Sequence, residues 1–135
     1  MPTKIFVNLP VKNLDKSMDF FKTLGFSFNL QFTDETAACM VISDDIYAML
    51  LTHKKFKEFT PKDIADATKT TEVLTALSMD SREEVNSFVD TALASGATKA
   101  REPMDHGFMF ERSFNDLDGH IWEIFYMDMS AIPQS

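Results

Sequence analysis

A chain of 135 residues that is 44% hydrophobic is long enough for one compact domain with its own core, which excludes a disordered chain. A formal charge of −8 argues against nucleic acid or an anionic membrane surface as the main partner, because both call for clustered Lys and Arg. One cysteine, Cys39, cannot form an intrachain disulfide, and with no charged-then-apolar leader and no long apolar run the expectation is a soluble, cytoplasmic protein.

Lys4–Val11 alternates. Ile5, Val7, Leu9 and Val11 share one face, and Phe6, Asn8 and Pro10 the other, which predicts a strand. Pro10 has no N–H to give a ladder, so the strand should lie at an edge or end its ladder there. Leu14, Met18, Phe21 and Leu24 follow at helical spacing, with Phe20 widening the stripe. Asn13 or Asp15 can cap this helix, and Gly25 ends it. Phe26–Phe32, Ala37–Ser43 and Ile46–Thr52 then read as a meander of strands. Residues 54–71 break the pattern. They are polar and lysine-rich, too long for a tight connection, and read as a linker or a lid over a pocket mouth.

The order then repeats. Val73–Met79 predicts a strand, and Ser81 with Glu84 forms a capping-box pattern. Val85, Phe88, Val89, Ala92 and Leu93 supply a second helical stripe, closed by Gly96. Ala97–Arg101, Phe108–Phe114 and Ile121–Tyr126 are strand candidates. The reading is a single α+β domain with two βαβββ modules, residues 1–53 and 72–128, joined by the linker at 54–71. Two such modules can pair into a partly closed mixed barrel with helices on the convex face and a cavity on the concave one. Thirteen Phe and nine Met suit either a soft core or an adaptable pocket.

Glu123 lies in the middle of the last strand, sharing a face with Ile121 and Phe125. A carboxylate there either faces a polar cavity or has a partner. It can act as a general base or anchor a cationic group, or it can be held structurally by an arginine or histidine or by backbone amides, with Arg112 as one candidate partner that can equally lie on the surface. His120 stands three residues earlier, which strand alternation puts on the opposite face. His106 lies in a loop beside Gly107, and His53 closes the fourth strand. Asn8 can orient a carbonyl or satisfy edge backbone. Cys39, between Ala38 and Met40, reads as an inert buried thiol. The lysines at 54, 55, 57 and 62 can draw an anionic ligand or simply solvate the linker.

Phe6-Val7-Asn8-Leu9-Pro10-Val11 leading into Leu14-Asp15-Lys16-Ser17-Met18-Asp19-Phe20-Phe21, then Leu24-Gly25-Phe26, resembles the vicinal oxygen chelate superfamily. At the other end Asp116-Leu117-Asp118-Gly119-His120-Ile121-Trp122-Glu123 is similar to that family's D-P-D-G-x-x-x-E segment. The superfamily holds glyoxalase I, bleomycin and fosfomycin resistance proteins and extradiol dioxygenases. The chain most resembles small bacterial members labelled predicted lactoylglutathione lyases.

The resemblance implies the glyoxalase/bleomycin resistance/dioxygenase fold and a divalent metal held by His, Gln or Glu, two ligands from each repeat. Carried over, those positions fall on Phe6, Met49, Leu74 and Glu123, and only Glu123 has a side chain that suits such an ion. The usual metal centre is therefore expected to be missing. Phe6, Asn8, Met49, Leu74, Glu123 and Phe125 would line an apolar cavity. If a metal survives, its ligands reduce to Glu123 with two of His53, His106 and His120, a spacing that matches no recognised motif.

Three functions compete. One is a protein that binds a small, partly apolar molecule without metal. A second is a metal-dependent glyoxalase-like lyase or extradiol-type dioxygenase with altered ligands. The third is a structural subunit. A homodimer is expected in each case.

Overall fold

The computed structural model describes residues 3–131. The chain forms two compact units that divide between Ala65 and Asp66.

The first unit runs β1 (Ile5–Val11), α1 (Leu14–Thr23), β2 (Ser27–Asn29), β3 (Ala37–Ser43), β4 (Ile46–Thr52) and the short helix α2 (His53–Lys57). Its sheet has the order β1-β4-β3-β2, with β1 parallel to β4 and the other pairs antiparallel. Pro10 therefore sits on an edge strand, as its missing N–H favours. Leu9 and Val11 of β1, Ala38 and Met40 of β3, and Ala48 and Leu50 of β4 are buried on one face together with Leu14, Phe20 and Phe21 of α1. Burying each large side chain there contributes about 1.5–3 kcal/mol. Asn13 caps α1 by accepting from the Lys16 amide. At the other end Gly25, at φ +100°, lets its own amide reach Lys22 O and the Phe26 amide reach Phe21 O, a Schellman closure.

The second unit runs β5 (Thr75–Ser78), α3 (Arg82–Ala94), β6 (Thr98–Lys99), β7 (Met104–Asp105), β8 (Met109–Asn115) and β9 (Ile121–Met127). β5 is parallel to β9, and β9 is antiparallel to β8. β6 and β7 both pair with β8, at different ends, so they are two pieces of one interrupted edge. The core lies between α3, through Val85, Val89 and Ala92, and the buried Phe114, Trp122 and Ile124. Ser81 Oγ accepts from the Glu84 amide at 3.0 Å, while the Glu84 carboxylate reaches one residue further back than the usual box, to the Asp80 amide at 2.9 Å.

The α+β class and the repeated order of elements are as the sequence predicts, but several bounds differ. The predicted strand Phe26–Phe32 stops at Asn29, whose side chain accepts from the Gln31 amide and starts a 3-10 turn over Leu30–Phe32. The stretch read as linker or lid opens with α2, because Thr52 Oγ1 accepts from the Lys55 amide at 3.2 Å and nucleates a turn. The predicted strand Val73–Met79 is only Thr75–Ser78, and Ala97–Arg101 shrinks to Thr98–Lys99. Among the described residues no helix is long and apolar enough to cross a membrane.

Candidate functional site

In the second unit, β9 and β8 place Glu123 beside Ser113, with Glu111 one alternation further along β8 opposite Phe125. All four share a face of the sheet. Arg101 comes from the break in the edge between β6 and β7. Pro103 lies in that break and cannot donate to β8. The Arg101 Nη2 donates to Glu123 Oε2 at 3.3 Å and forms a close ion pair with Glu111 Oε1. Beside the break is a cavity of about 230 Å³ lined by Leu93, Lys99, Arg101, Glu102, Arg112 and Ser113, among others.

Arg112 is not the partner of Glu123 that the sequence suggested. It pairs with Ile124 in the ladder and so emerges on the helix face, where its Nη1 donates to Asp90 at 2.9 Å and Asn86 at 3.0 Å. Arg101 is the residue that sequence reasoning missed. The pattern predicts it as the last residue of a strand, whereas it lies beyond β6. The available signal was Pro103 two residues later, which makes a continuous edge strand untenable.

The Asp-Gly turn before β9 is built around Asp116, which is buried. Its Oδ1 accepts from the amides of Asp118 at 2.9 Å and His120 at 3.0 Å, and its Oδ2 from Trp122 Nε1 at 2.9 Å. Burial pushes the Asp116 carboxyl up, while nearby His120 and the Trp122 hydrogen bond pull it down. His120 thus belongs to this turn, half-buried ahead of the strand. His106 is exposed, with its amide bonded to Met109 O at 2.8 Å, and His53 is exposed at the start of α2. Among the described residues no three His, Cys, Asp or Glu side chains converge as a metal cluster would.

In the first unit, Phe6, Asn8 and Pro10 pair with Tyr47, Met49 and Leu51, so these six share the face opposite the core. Phe6 stacks on Tyr47 with ring centroids 4.6 Å apart. The Asn8 Nδ2 makes a long bond, 3.4 Å, to Phe6 O. The chain leaving α2 approaches the same face, and Asn8, Leu51, Phe56, Phe59 and Thr60 line a cleft of about 340 Å³. Cys39 lies on β3 with its thiol buried, and burial raises the thiol's pKa, as suits an unreactive group.

The family model for bleomycin resistance protein-like N-terminal regions matches residues 3–43. Hypothetical protein SA1046 from S. aureus has a TM-score of 0.78 and 28% identity, over 93% of this chain and 95% of that one. A glyoxalase/bleomycin resistance protein/dioxygenase family enzyme from Burkholderia phytofirmans PsJN has a TM-score of 0.75 and 16% identity, over 90% and 96%. The chain has the fold of the glyoxalase/bleomycin resistance/dioxygenase proteins. The fosfomycin resistance protein FosX of Listeria monocytogenes shares the superfamily fold at a TM-score of 0.68 and 17% identity, over 100% of this chain and 96% of that one. No curated protein sequence matches the chain.

The superfamily's duplication can be read directly from the ladders. Asn8 pairs with Met49, and Ala76 with Glu123. Asn8 and Ala76 each stand five residues before the cap of the next helix, Asn13 and Ser81. The matching pairs of the two repeats are therefore Asn8–Met49 and Ala76–Glu123. Phe6 and Leu74 lie two residues short of these positions. Leu74 precedes β5 altogether and is 54% exposed, its apolar character having extended the predicted strand too far. Phe125, half-buried, stays on the Glu123 face.

Proposed function

We propose that the chain binds a small, partly apolar molecule and does so without the divalent metal of the superfamily's usual centre. The observation that carries the reading is the cleft of the first unit. Its volume of about 340 Å³ suits a small ligand. Leu51, Phe56 and Phe59 offer apolar contact, and the weakly engaged Asn8 amide and the Thr60 hydroxyl can fix orientation. A flat aromatic molecule with one hydrogen-bonding group is the chemistry this lining recognises.

The donor set does not fit the metal. The repeat positions present an amide, a thioether, a methyl group and one carboxylate, in Asn8, Met49, Ala76 and Glu123. Hard divalent ions require several oxygen or imidazole ligands, and the one carboxylate is engaged by Arg101. The enzyme alternative, a metal-dependent lyase or dioxygenase, draws on the shared fold alone. It predicts that added metal raises both melting temperature and turnover, and that Glu123→Gln abolishes both responses.

The ligand reading is tested by titrating phenol- and benzamide-type fragments while following backbone amide signals. Shifts centred on Asn8, Leu51, Phe56 and Thr60 are expected, and Asn8→Ala or Phe56→Ala should weaken binding about tenfold. Shifts confined to other residues would overturn it. A cytoplasmic homodimer is part of the proposal, supported by the free thiol of Cys39 and by the apolar side chains exposed on the first unit.

A further inference from the structure

Arg101 is the outermost of three charged groups on the face of the second sheet opposite α3. Its side chain is 35% exposed, against 12% for Glu111 and 17% for Glu123. One nitrogen, Nη2, serves both carboxylates, so their oxygens lie close together beneath it. Ser113 Oγ, next to Glu123 across the ladder, is buried with no hydrogen-bond partner among the described residues. Two largely buried carboxylates on adjacent strands repel each other and lose hydration, so the arrangement requires a cation. A guanidinium meets that need because its planar fork can face two carboxylates at once.

Glu123 is also the one charged residue at the repeat positions, and so the one that would attract a divalent ion most strongly. An ion approaching it has to displace Arg101. Without Arg101 the two carboxylates would lack their cation, a need that one divalent ion can meet.

We propose that Arg101 is the resident cation of this face, standing where a divalent ion would be drawn and keeping such ions out. The inference rests on the metal-free part of the function proposed above, and adds what replaces the metal. It explains how Glu123 remains at a sheet position whose repeat counterpart is the uncharged Met49.

The test uses the full chain with Mn²⁺ as the probe, read by paramagnetic broadening of amide signals and by melting temperature. Wild type should show neither broadening at Glu111, Ser113 and Glu123 nor a melting shift. Arg101→Met should gain Mn²⁺ affinity by about tenfold or more, with broadening centred on those residues and a higher melting temperature. Arg101→Met combined with Glu123→Gln should lose the gain. Wild type that binds Mn²⁺ through Glu123 would overturn both this inference and the metal-free reading. Silence in both wild type and Arg101→Met would overturn this inference alone. Should Arg101→Met fold only when Mn²⁺ is present, the inference is supported. Should it fold under neither condition, the Arg101 side-chain N–H signals of wild type decide: retained on adding Mg²⁺, they support the inference, and released by Mg²⁺, they overturn it.

Discussion

Asp116 shows how one side chain can hold a turn and a core together. Its carboxylate takes two amides of the Asp-Gly turn and the indole N–H of Trp122, the chain's only tryptophan. Asp116→Ala removes the acceptor that these three donors share and should cost about 2–4 kcal/mol, while Asp116→Asn keeps one acceptor and should cost less. Urea unfolding followed by Trp122 fluorescence measures both. Burial raises the folded carboxyl above its ordinary 3.8, so the folded state keeps this proton longer than the unfolded one. The group therefore subtracts from stability as pH rises through the window above 3.8. Asp105 has the opposite sign. Arg82 donates to both of its oxygens, and the Gly107 amide to one, holding its pKa down to about 2. Its contribution is complete above 3.8 and is lost as pH falls through about 2. A carbon-detected titration should find that low value in wild type and a higher one in Arg82→Ala, still held down in part by the Gly107 amide. An unchanged value in the variant would show that the Gly107 amide alone suffices.

At the scale of elements, two glycines at helix and strand junctions separate backbone strain from crowding. Gly25, at φ +100°, has open space where a Cβ would point, so Gly25→Ala should cost only the left-handed backbone, about 1 kcal/mol. Gly119, at φ +90°, would bring a Cβ within 2.8 Å of the backbone of Ala67 and Thr68. Backbone cannot step aside as a flexible side chain can, so Gly119→Ala should cost about 3 kcal/mol or more. Equal losses in urea unfolding would contradict this. Both turns were legible in the sequence, since Gly after a helical stripe and Asp-Gly before an apolar run are local signals. So were α1, α3, β3, β4 and β9, whose periodicity is strong. Two of the misread elements are decided by side-chain competition with the ladder. Asn29 ends β2 by bonding the Gln31 amide, and Thr52 starts α2 by bonding that of Lys55. The broken edge at Pro103 is the costliest miss, because it hid Arg101 and so misassigned the partner of Glu123.

Across the whole chain, the duplication was visible as a repeated order of elements, but its register was not. Period-two alternation gives a residue's face without its cross-strand neighbour, so the sequence could select Glu123 and Asn8 yet misplace their counterparts at Phe6 and Leu74. The same limit bears on assembly. Open sheet edges suggested pairing by strand addition, but β1 carries Pro10 and β2 has three residues, so both edges of the first sheet are blunted. What remains exposed is apolar side chain. Leu30 is 78% and Phe32 64% exposed just beyond β2, and Ile5, Phe6 and Ile46 are exposed on or beside β1. Association through such surfaces brings together chains that each carry −8. Like charges then oppose the dimer, and salt screens them over about 10 Å at 0.1 M. The proposed homodimer should therefore tighten as NaCl is raised, the reverse of an interface built on opposite charges. Sedimentation velocity at low and high salt measures this directly. Leu30→Glu with Phe32→Glu should shift the population to monomer at either salt, because it adds charge where apolar area was buried. A dimer that loosens with salt, or that ignores the paired substitution, would place the interface elsewhere on the chain.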